Sequence, residues 1–330
     1  MAAALTPANS AQQTKLSLSY KGRQAWRNYV HQARPPLAPS WSLKTEKGSW
    51  QAHINSTRPG YICQVLAGVW VEVVALVAAF VIAVITTPAG VSGAVLLLPF
   101  QVSVLGTPSP SVTPTNLLYN VVACPGAMWR YRRQGQTGGS LTWLLLAGTL
   151  PGVVAGSVIR VYVLPSPVVF DFVVAAVLIP LGTWLALAQV NHATTTAGRA
   201  RLPRVVTGLL AAVAGCVGGI YGIGGGSILA PILIADGQPA SQVAPAALSS
   251  TFVTSLGGVV TFSLLSVHHH GSVAPDWPTG IALGIGGLAG GYIGARMHAR
   301  MPEAIIRRLL ALVVVAIGIR FLVAGLTGGA

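Results

Sequence analysis

Long runs of apolar residues recur along the chain from about residue 65 onward, separated by short polar stretches. A helix needs about 20 such residues to cross a bilayer. Six runs come close to or reach this length, and they cover residues 65–87, 141–159, 168–189, 205–222, 280–295 and 309–326. The pattern therefore predicts an all-α polytopic membrane protein.

Two further apolar regions are interrupted, and each consists of a short piece, a turn rich in glycine and proline, and a longer piece. They cover residues 90–105 with 115–128, and residues 226–235 with 243–265. Three consecutive glycines, Gly224 to Gly226, lie at the start of the second region. Each glycine weakens a helix by about 1 kcal/mol, so this run predicts a break in the helix.

The two interrupted regions resemble one another. "GVSGAVLLLPFQVSVLGTPSPSVTP", residues 90–114, aligns with "GIGGGSILAPILIADGQPASQVAP", residues 222–245, with one single-residue gap. The alignment pairs glycines and prolines: Gly93 with Gly225, Pro99 with Pro231, and Pro114 with Pro245. We infer two homologous membrane repeats, residues 65–190 and 205–326, each with a Gly/Pro-broken helical hairpin.

Rows of glycine at every fourth position support the duplication. The first half has Gly148, Gly152 and Gly156, and the second half has Gly286, Gly290 and Gly294. This spacing allows two helix backbones to approach closely in lipid.

The distribution of charge predicts that the two repeats are inverted. The stretches 129–140, 191–204 and 296–308 are rich in arginine, whereas 267–278 carries a single aspartate. Basic loops stay in the cytoplasm, which places 191–204 there as a linker and puts 129–140 and its counterpart 267–278 on opposite sides. Residues 1–60 carry eight Lys or Arg and one Glu, which is typical of a disordered or surface tail, whose side of the membrane stays open.

Composition excludes several classes of protein. Only 8% of residues are charged, against about 25% in a soluble domain. The net charge of +14 is spread among apolar segments, so it indicates membrane orientation and no nucleic-acid partner. Six acidic residues leave little material for catalysis, and consecutive histidines at 268–270 cannot all face one ion. We predict no catalytic residues, no metal and no cofactor.

Matched broken helices in inverted repeats point to the binding site of a transporter. A break in a helix is tolerated in a membrane only where protein or a water-filled cavity provides hydrogen bonds for the freed N–H and C=O groups. A helix that restarts after the glycines directs free N–H groups and a positive dipole end at its surroundings, which favours an anion. The alternative is that the glycines serve helix packing alone. The predicted substrate-binding residues are Ser92, Gly93, Thr115, Asn116, Asn120, Gly222, Gly224, Gly225, Gly226, Ser227, Ser249 and Ser250. The predicted breaks or hinges are Pro99, Pro114, Pro231 and Pro245.

Two acidic residues are candidates for coupling transport to a proton gradient. Glu72 lies within the first span, where ionisable groups are functional by default, although it stands near the end of that span. Asp236 lies at the turn of the second hairpin, where it could equally be an ordinary turn aspartate.

Two segments resemble the TauE/SafE family of sulfite and organosulfonate-related anion exporters. They are "GIGGGSILAPILIADGQP", starting at Gly222, and "WRYRRQG", residues 129–135. The resemblance covers about residues 65–326, and "AGVSGA" replaces the glycine run in the first half. It implies a multi-pass permease or exporter of a small sulfur-containing anion in a bacterial plasma membrane.

The leading hypothesis is therefore a secondary transporter driven by protons or membrane potential. No G-x-x-x-x-G-K-[ST] motif indicates a nucleotide-driven pump. One alternative is a membrane assembly subunit without transport, which the packing glycines would suit. Another is an intramembrane enzyme, which would need a nucleophile and base that the spans do not present together. The expected partners are a small anion and the bilayer, and assembly into homo-oligomers stays open.

Overall fold

The computed structural model describes residues 59–87, 91–108, 111–135, 139–164, 166–187, 202–236, 238–268, 273–297, 315 and 318–327. These residues contain helices and, within the ranges given, no strand. The chain divides into two units, residues 1–73 and 74–330, and every contact described below lies in the second. Almost all of the predicted tail and most of the predicted linker fall outside the described residues.

Within residues 59–297, the described part of the chain contains nine helices. They are α1 (Pro59–Thr86), α2 (Ala94–Ser103), α3 (Val112–Arg133), α4 (Gly139–Tyr162), α5 (Pro167–Leu187), α6 (Arg204–Tyr221), α7 (Gly225–Ala235), α8 (Ala240–His268) and α9 (Trp277–Met297). Residues 318–326 are helical as well. For the described residues the prediction of an all-helical protein is confirmed, and one short helix follows α1 while another follows α6.

Four helices among the described residues are long and apolar enough to cross a membrane. Their apolar segments are Val69–Thr86, Gly139–Tyr162, Arg204–Tyr221 and Gln242–Val267. Helix α2 is apolar but has only 10 residues, and α7, at the matching place in the second half, has 11. At 1.5 Å per residue each is about half as long as a span. The protein is therefore a multi-pass membrane protein that contains two half-length helices.

The two halves of the chain interlock. Helix α4 from the first half packs against α6 and α8, and α9 from the second half packs against α3. A methyl group added at Gly148 would lie 2.5 Å from the carbonyl oxygen of Gly208, and one at Gly152 would overlap that of Ala212. In the same way, Gly286 faces the backbone of Leu76 in α1. The glycine rows thus allow the close backbone contact that their spacing predicts.

Helix α7 is held between these elements by small and branched apolar side chains. Leu229, Ala230 and Leu233 of α7 are completely buried in a cluster with residues of α4, α6 and α8. Its other members are Leu145, Ala211, Ala214, Val243, Ala246 and Ala247. Gly225, Gly226 and Ser227 are buried as well, so α7 begins inside the bundle.

Candidate anion site at the two helix breaks

The second helix break is made by the backbone of two glycines. Gly222 has a φ of 85° and its N–H donates to the carbonyl oxygen of Gly218 at 2.7 Å, which ends α6. Gly224 has a φ of 71°, and α7 begins at the next residue. This left-handed region is readily open only to glycine. The first N–H groups of α7 have no acceptor within their own helix.

The first helix break depends on side chains instead. Ser92 lies two residues before α2, and its hydroxyl accepts a hydrogen bond from the N–H of Ala94 at 3.2 Å. The same hydroxyl donates to the amide oxygen of Asn120 in α3. Gly93, the residue directly before α2, has a φ of −58°, which any residue can adopt. A polar side chain therefore caps the first half-helix.

The two breaks meet inside the protein. The N–H of Ser92 donates to the hydroxyl oxygen of Ser227, in the first turn of α7, at 3.3 Å. The hydroxyl of Thr251 in α8 lies 3.4 Å from that same oxygen. The starts of α2 and α7, which both carry the positive end of a helix dipole, thus lie side by side.

Three buried polar groups around this junction have no hydrogen-bond partner. They are the amide nitrogen of Asn120 and the hydroxyls of Thr86 and Ser255, whose residues are completely buried. A methyl group built on Gly93 would lie 3.5 Å from the Thr86 hydroxyl, and one on Gly224 would lie 3.1 Å from that of Ser255. A buried polar group without a partner costs about 1–3 kcal/mol, so such groups normally have one. A polar ligand between the breaks would supply it.

The junction contains no charged side chain among the residues described above. Asp236 lies elsewhere, where its carboxylate accepts a hydrogen bond from the N–H of Leu202 at 3.1 Å. Glu72 is half-buried in α1. The positive potential at the junction therefore comes from backbone dipoles. The hydrogen-bond donors of the junction are backbone N–H groups, side-chain amides and hydroxyls.

Each half of the chain donates a hydrogen bond to a backbone carbonyl of the other half that lacks a partner in its own helix. Pro99 has no N–H, so the carbonyl of Val95 loses its partner within α2. The hydroxyl of Tyr221, in the last turn of α6, donates to this carbonyl oxygen at 3.0 Å. The carbonyl of Ile220 lies at the end of α6 and accepts a hydrogen bond from the Thr113 hydroxyl at 3.2 Å. These bonds hold the two breaks together.

Several predicted site residues come together at this junction. Ser92, Asn120 and Ser227 form its hydrogen-bonded centre, and Gly93 and Gly224 lie beside the unpartnered hydroxyls.

Asn116 and Ser250 support this junction. The Asn116 amide donates to the carbonyl oxygen of Ala94 at 2.9 Å and accepts from Gln101 at 3.1 Å. The Ser250 hydroxyl lies 2.9 Å from that of Thr149, whose methyl group faces Gly225.

Other predicted residues lie apart from the junction. The Thr115 hydroxyl accepts from the N–H of Asp276, before α9, at 2.9 Å. Ser249 and Pro245 line a cleft near the start of α4. Pro99, Pro231 and Pro245 lie inside helices that continue through them, and Pro114 lies in the first turn of α3. A hinge role for the prolines stays a prediction.

The glycines of the run also serve packing. A methyl group at Gly225 would lie 2.7 Å from the methyl carbon of Thr149, and one at Gly226 would overlap the carbonyl oxygen of Ala247. The α-carbons of both residues therefore face protein. The space in which a side chain would lie at these two glycines is therefore filled by protein and not by a ligand.

Four residues that sequence reasoning missed complete the junction: Thr86, Thr113, Tyr221 and Ser255. Each is a hydroxyl-bearing residue in an apolar segment, next to a break or in the longer helix of a hairpin. Such positions could be noticed in the sequence, but hydroxyls in membrane helices often bond their own backbone. Thr254, which bonds the carbonyl of Ser250 at 2.7 Å, is an example in this chain.

The architecture and the paired helix breaks define a class, the multi-pass helical membrane proteins with broken helices at their centre. Comparison with known families then identifies the chain. A family model described as Sulfite exporter TauE/SafE matches residues 75–321, well over half of the chain. The protein belongs to this TauE/SafE family, as the two sequence segments predict.

A curated relative agrees with this assignment. The chain is 31% identical over 117 residues to the "Probable membrane transporter protein YunE" of Bacillus subtilis (strain 168). The match spans 36% of this chain and 41% of that relative, so it covers less than half the relative's length. No solved structure matches the chain significantly. The family and the relative are both described as transporters, which agrees with the expectation that the chain is not an enzyme.

Proposed function

We propose that the protein is a secondary transporter that carries a small sulfur-containing oxyanion, such as sulfite or an organosulfonate, across the cell membrane. The observation that carries this proposal is the junction of the two helix starts. There, three buried polar groups lack partners beside the hydrogen bond from Ser92 to Ser227. Membership of the TauE/SafE family supports the class of substrate.

The chemistry of the junction favours an anion over a cation. A helix start carries roughly half a positive charge, and two of them lie side by side here. An oxyanion could accept hydrogen bonds from the Asn120 amide and the Thr86 and Ser255 hydroxyls, which would satisfy all three groups. Because these donors are neutral, the anion would be held without a fixed ion pair and could leave again.

The interlocked halves suggest how the anion crosses. We infer that residues 65–190 and 205–326 form an inverted duplication, so that the same junction can open to either side. Such folds move one repeat against the other around a fixed midplane site. The driving force is the proton gradient or the membrane potential. Glu72 and Asp236 stay the candidates for proton coupling, and the hydrogen bond from Leu202 supports the alternative structural role of Asp236 at its turn.

Transport is tested directly with the purified full-length protein in liposomes. We expect uptake of radiolabelled sulfite that an imposed proton gradient or membrane potential stimulates. Competition by thiosulfate, sulfoacetate and sulfate then ranks the substrates. An absence of uptake under every gradient, with folded and inserted protein, would leave the non-transporting assembly subunit as the better interpretation.

The location of the site is tested by removing one hydroxyl. Ser255→Ala should raise the sulfite concentration for half-maximal uptake about tenfold, since a hydrogen bond to a charged group contributes about 1.5–3 kcal/mol. The matched control is Ser266→Ala on the same helix, about 16 Å further along. Its hydroxyl bonds the Ser263 carbonyl of its own helix, so uptake should not change.

Equal uptake by the Ser255→Ala and Ser266→Ala proteins would contradict this location of the site. Bulky substitutions at Gly225 would not give a clear answer, because they would collide with Thr149 and the backbone of Gly215. Removing an unpartnered hydroxyl leaves the packing in place.

A further inference from the structure

The C-terminal end of α3 is surrounded by open clefts. Three of them, of about 550, 440 and 310 Å³, border the last two turns of this helix. The largest is lined by Pro125, Met128, Trp129, Arg132, Arg133 and Phe252. The second shares Met128, Arg132 and Phe252 and extends to Trp143 and Leu146 of α4. We call these two together the α3 cleft.

The α3 cleft combines apolar walls with cationic edges. Its described lining contains no acidic residue, although Arg132 lines both parts. The guanidinium carbon of Arg133 lies 5.2 Å from the centre of the Trp129 ring, within the range of a cation–π contact. The positive charge of the cleft therefore has no counter-charge among the residues that line it.

Exposed aromatic residues indicate where the α3 cleft lies relative to the membrane. Trp129, near the end of α3, is 59% exposed, and Trp143, near the start of the membrane-spanning helix α4, is 75% exposed. Tryptophan concentrates at the level of the lipid headgroups, and arginine near a helix end directs its charge to the same level. The apolar walls of the cleft then continue from the headgroup level toward the hydrocarbon.

We propose that the α3 cleft binds an anionic phospholipid. Arg132 and Arg133 hold the phosphate, and an acyl chain lies along Met128 and Phe252. Basic pockets between membrane helices suit anionic headgroups, and each basic residue near such a surface contributes about 1 kcal/mol. The combination of two arginines with a long apolar cleft fits a lipid better than a small free anion.

The lipid site is separate from the junction of the helix breaks. Helix α8 turns Phe252 and Ser249 toward the α3 cleft, whereas Thr251 faces Gly224 and Gly226 at the junction. Transport and lipid binding can therefore be disturbed independently.

The proposal is tested by native mass spectrometry of the full-length protein in detergent with equal amounts of phosphatidylglycerol and phosphatidylcholine. We expect phosphatidylglycerol to be retained preferentially. Arg132→Gln should reduce this retention about fivefold, the effect of one basic residue. The matched control is Arg204→Gln, which also removes an exposed positive charge, at the start of α6, and should leave retention unchanged.

Two further measurements test the proposal even if the Arg132→Gln protein folds poorly. Arg132→Lys keeps the charge and should keep most of the phosphatidylglycerol. A large excess of sulfite or inorganic phosphate should not displace the lipid. Displacement by these ions, or equal retention of both lipids in every variant, would overturn the proposal.

Discussion

The two helix breaks occupy matching places in the halves of the chain but are built differently. At the second break, Gly222 and Gly224 turn the backbone through left-handed conformations, with φ values of 85° and 71°. At the first break, Gly93 has a φ of −58° and the Ser92 side chain caps the half-helix. The "GIGGG" run of the second half is thus matched by side-chain hydrogen bonds in the first.

This difference indicates that helix breaks at matching places in the sequence can be built from different chemistry. Amides of Asn116 and Asn120 support the first break. Hydroxyls of Thr251 and Ser255 surround the second. An asymmetric junction offers a bound anion different donors from its two sides.

The largest expected effect comes from adding a methyl group on each side of the junction. Gly226→Ala should destabilise the protein by about 3 kcal/mol or more, because the new carbon meets backbone that cannot move. Gly93→Ala should cost less, because its new carbon lies 2.5 Å from the hydroxyl oxygen of Tyr119, the end of a side chain. Thermal unfolding of the purified variants in detergent measures both changes.

Two companion variants sharpen this test. Tyr119→Phe should rescue Gly93→Ala, because it removes the colliding oxygen, whereas no single truncation should rescue Gly226→Ala. Gly208→Ala is the control, since its added carbon meets nothing within 4 Å and alanine favours the helix. If Gly226→Ala is as stable as Gly208→Ala, the backbone of the second break is not as tightly packed as described.

A smaller effect is expected from removing the hydrogen bond that the Tyr221 hydroxyl donates to the Val95 carbonyl. This bond replaces the one that Pro99 cannot donate. Tyr221→Phe should destabilise the protein by about 1–3 kcal/mol, because the buried Val95 carbonyl loses its donor. Pro99→Ala in the same chain would restore an N–H within α2 and should recover part of this loss. A double-mutant cycle of thermal unfolding measures the coupling, and additive effects would show that Tyr221 does not replace the missing N–H.

The smallest effect is expected from removing the hydrogen bond that Thr113, in the first half of the chain, donates to Ile220 in the second half. Thr113→Val keeps the shape of the side chain but removes the hydroxyl that donates to the Ile220 carbonyl, at a cost of about 1 kcal/mol. Thr261→Val is the control, because that hydroxyl only bonds the Gly257 carbonyl of its own helix, at 2.8 Å. Equal thermal stability of the two variants would mean that the bond from Thr113 does not stabilise the second break.

Much of the fold follows from patterns that are local in the sequence. Apolar length defines spans, and the glycine rows at 148–156 and 286–294 define faces for close packing, because helix geometry brings every fourth residue to one side. A break near the glycine run was predictable for the same reason, since glycine weakens a helix wherever it packs. Its position was predicted wrongly, because the left-handed residues are Gly222 and Gly224, whereas Gly225 and Gly226 already belong to α7. The inversion of the repeats stays a prediction from the charges of the loops.

The composition of the junction depended on contacts between residues that are far apart in the sequence. Thr115 and Ser249 looked as suitable as Asn120 from the sequence, yet they face other neighbours. Thr113 and Tyr221 serve carbonyls more than 100 residues away. By itself the sequence determined the helices and the approximate places of the breaks, because these depend on local periodicity and composition, and the resemblance of two segments indicated the family. Only the tertiary structure decided which polar groups meet, since a buried donor takes its partner from whichever helix packs beside it.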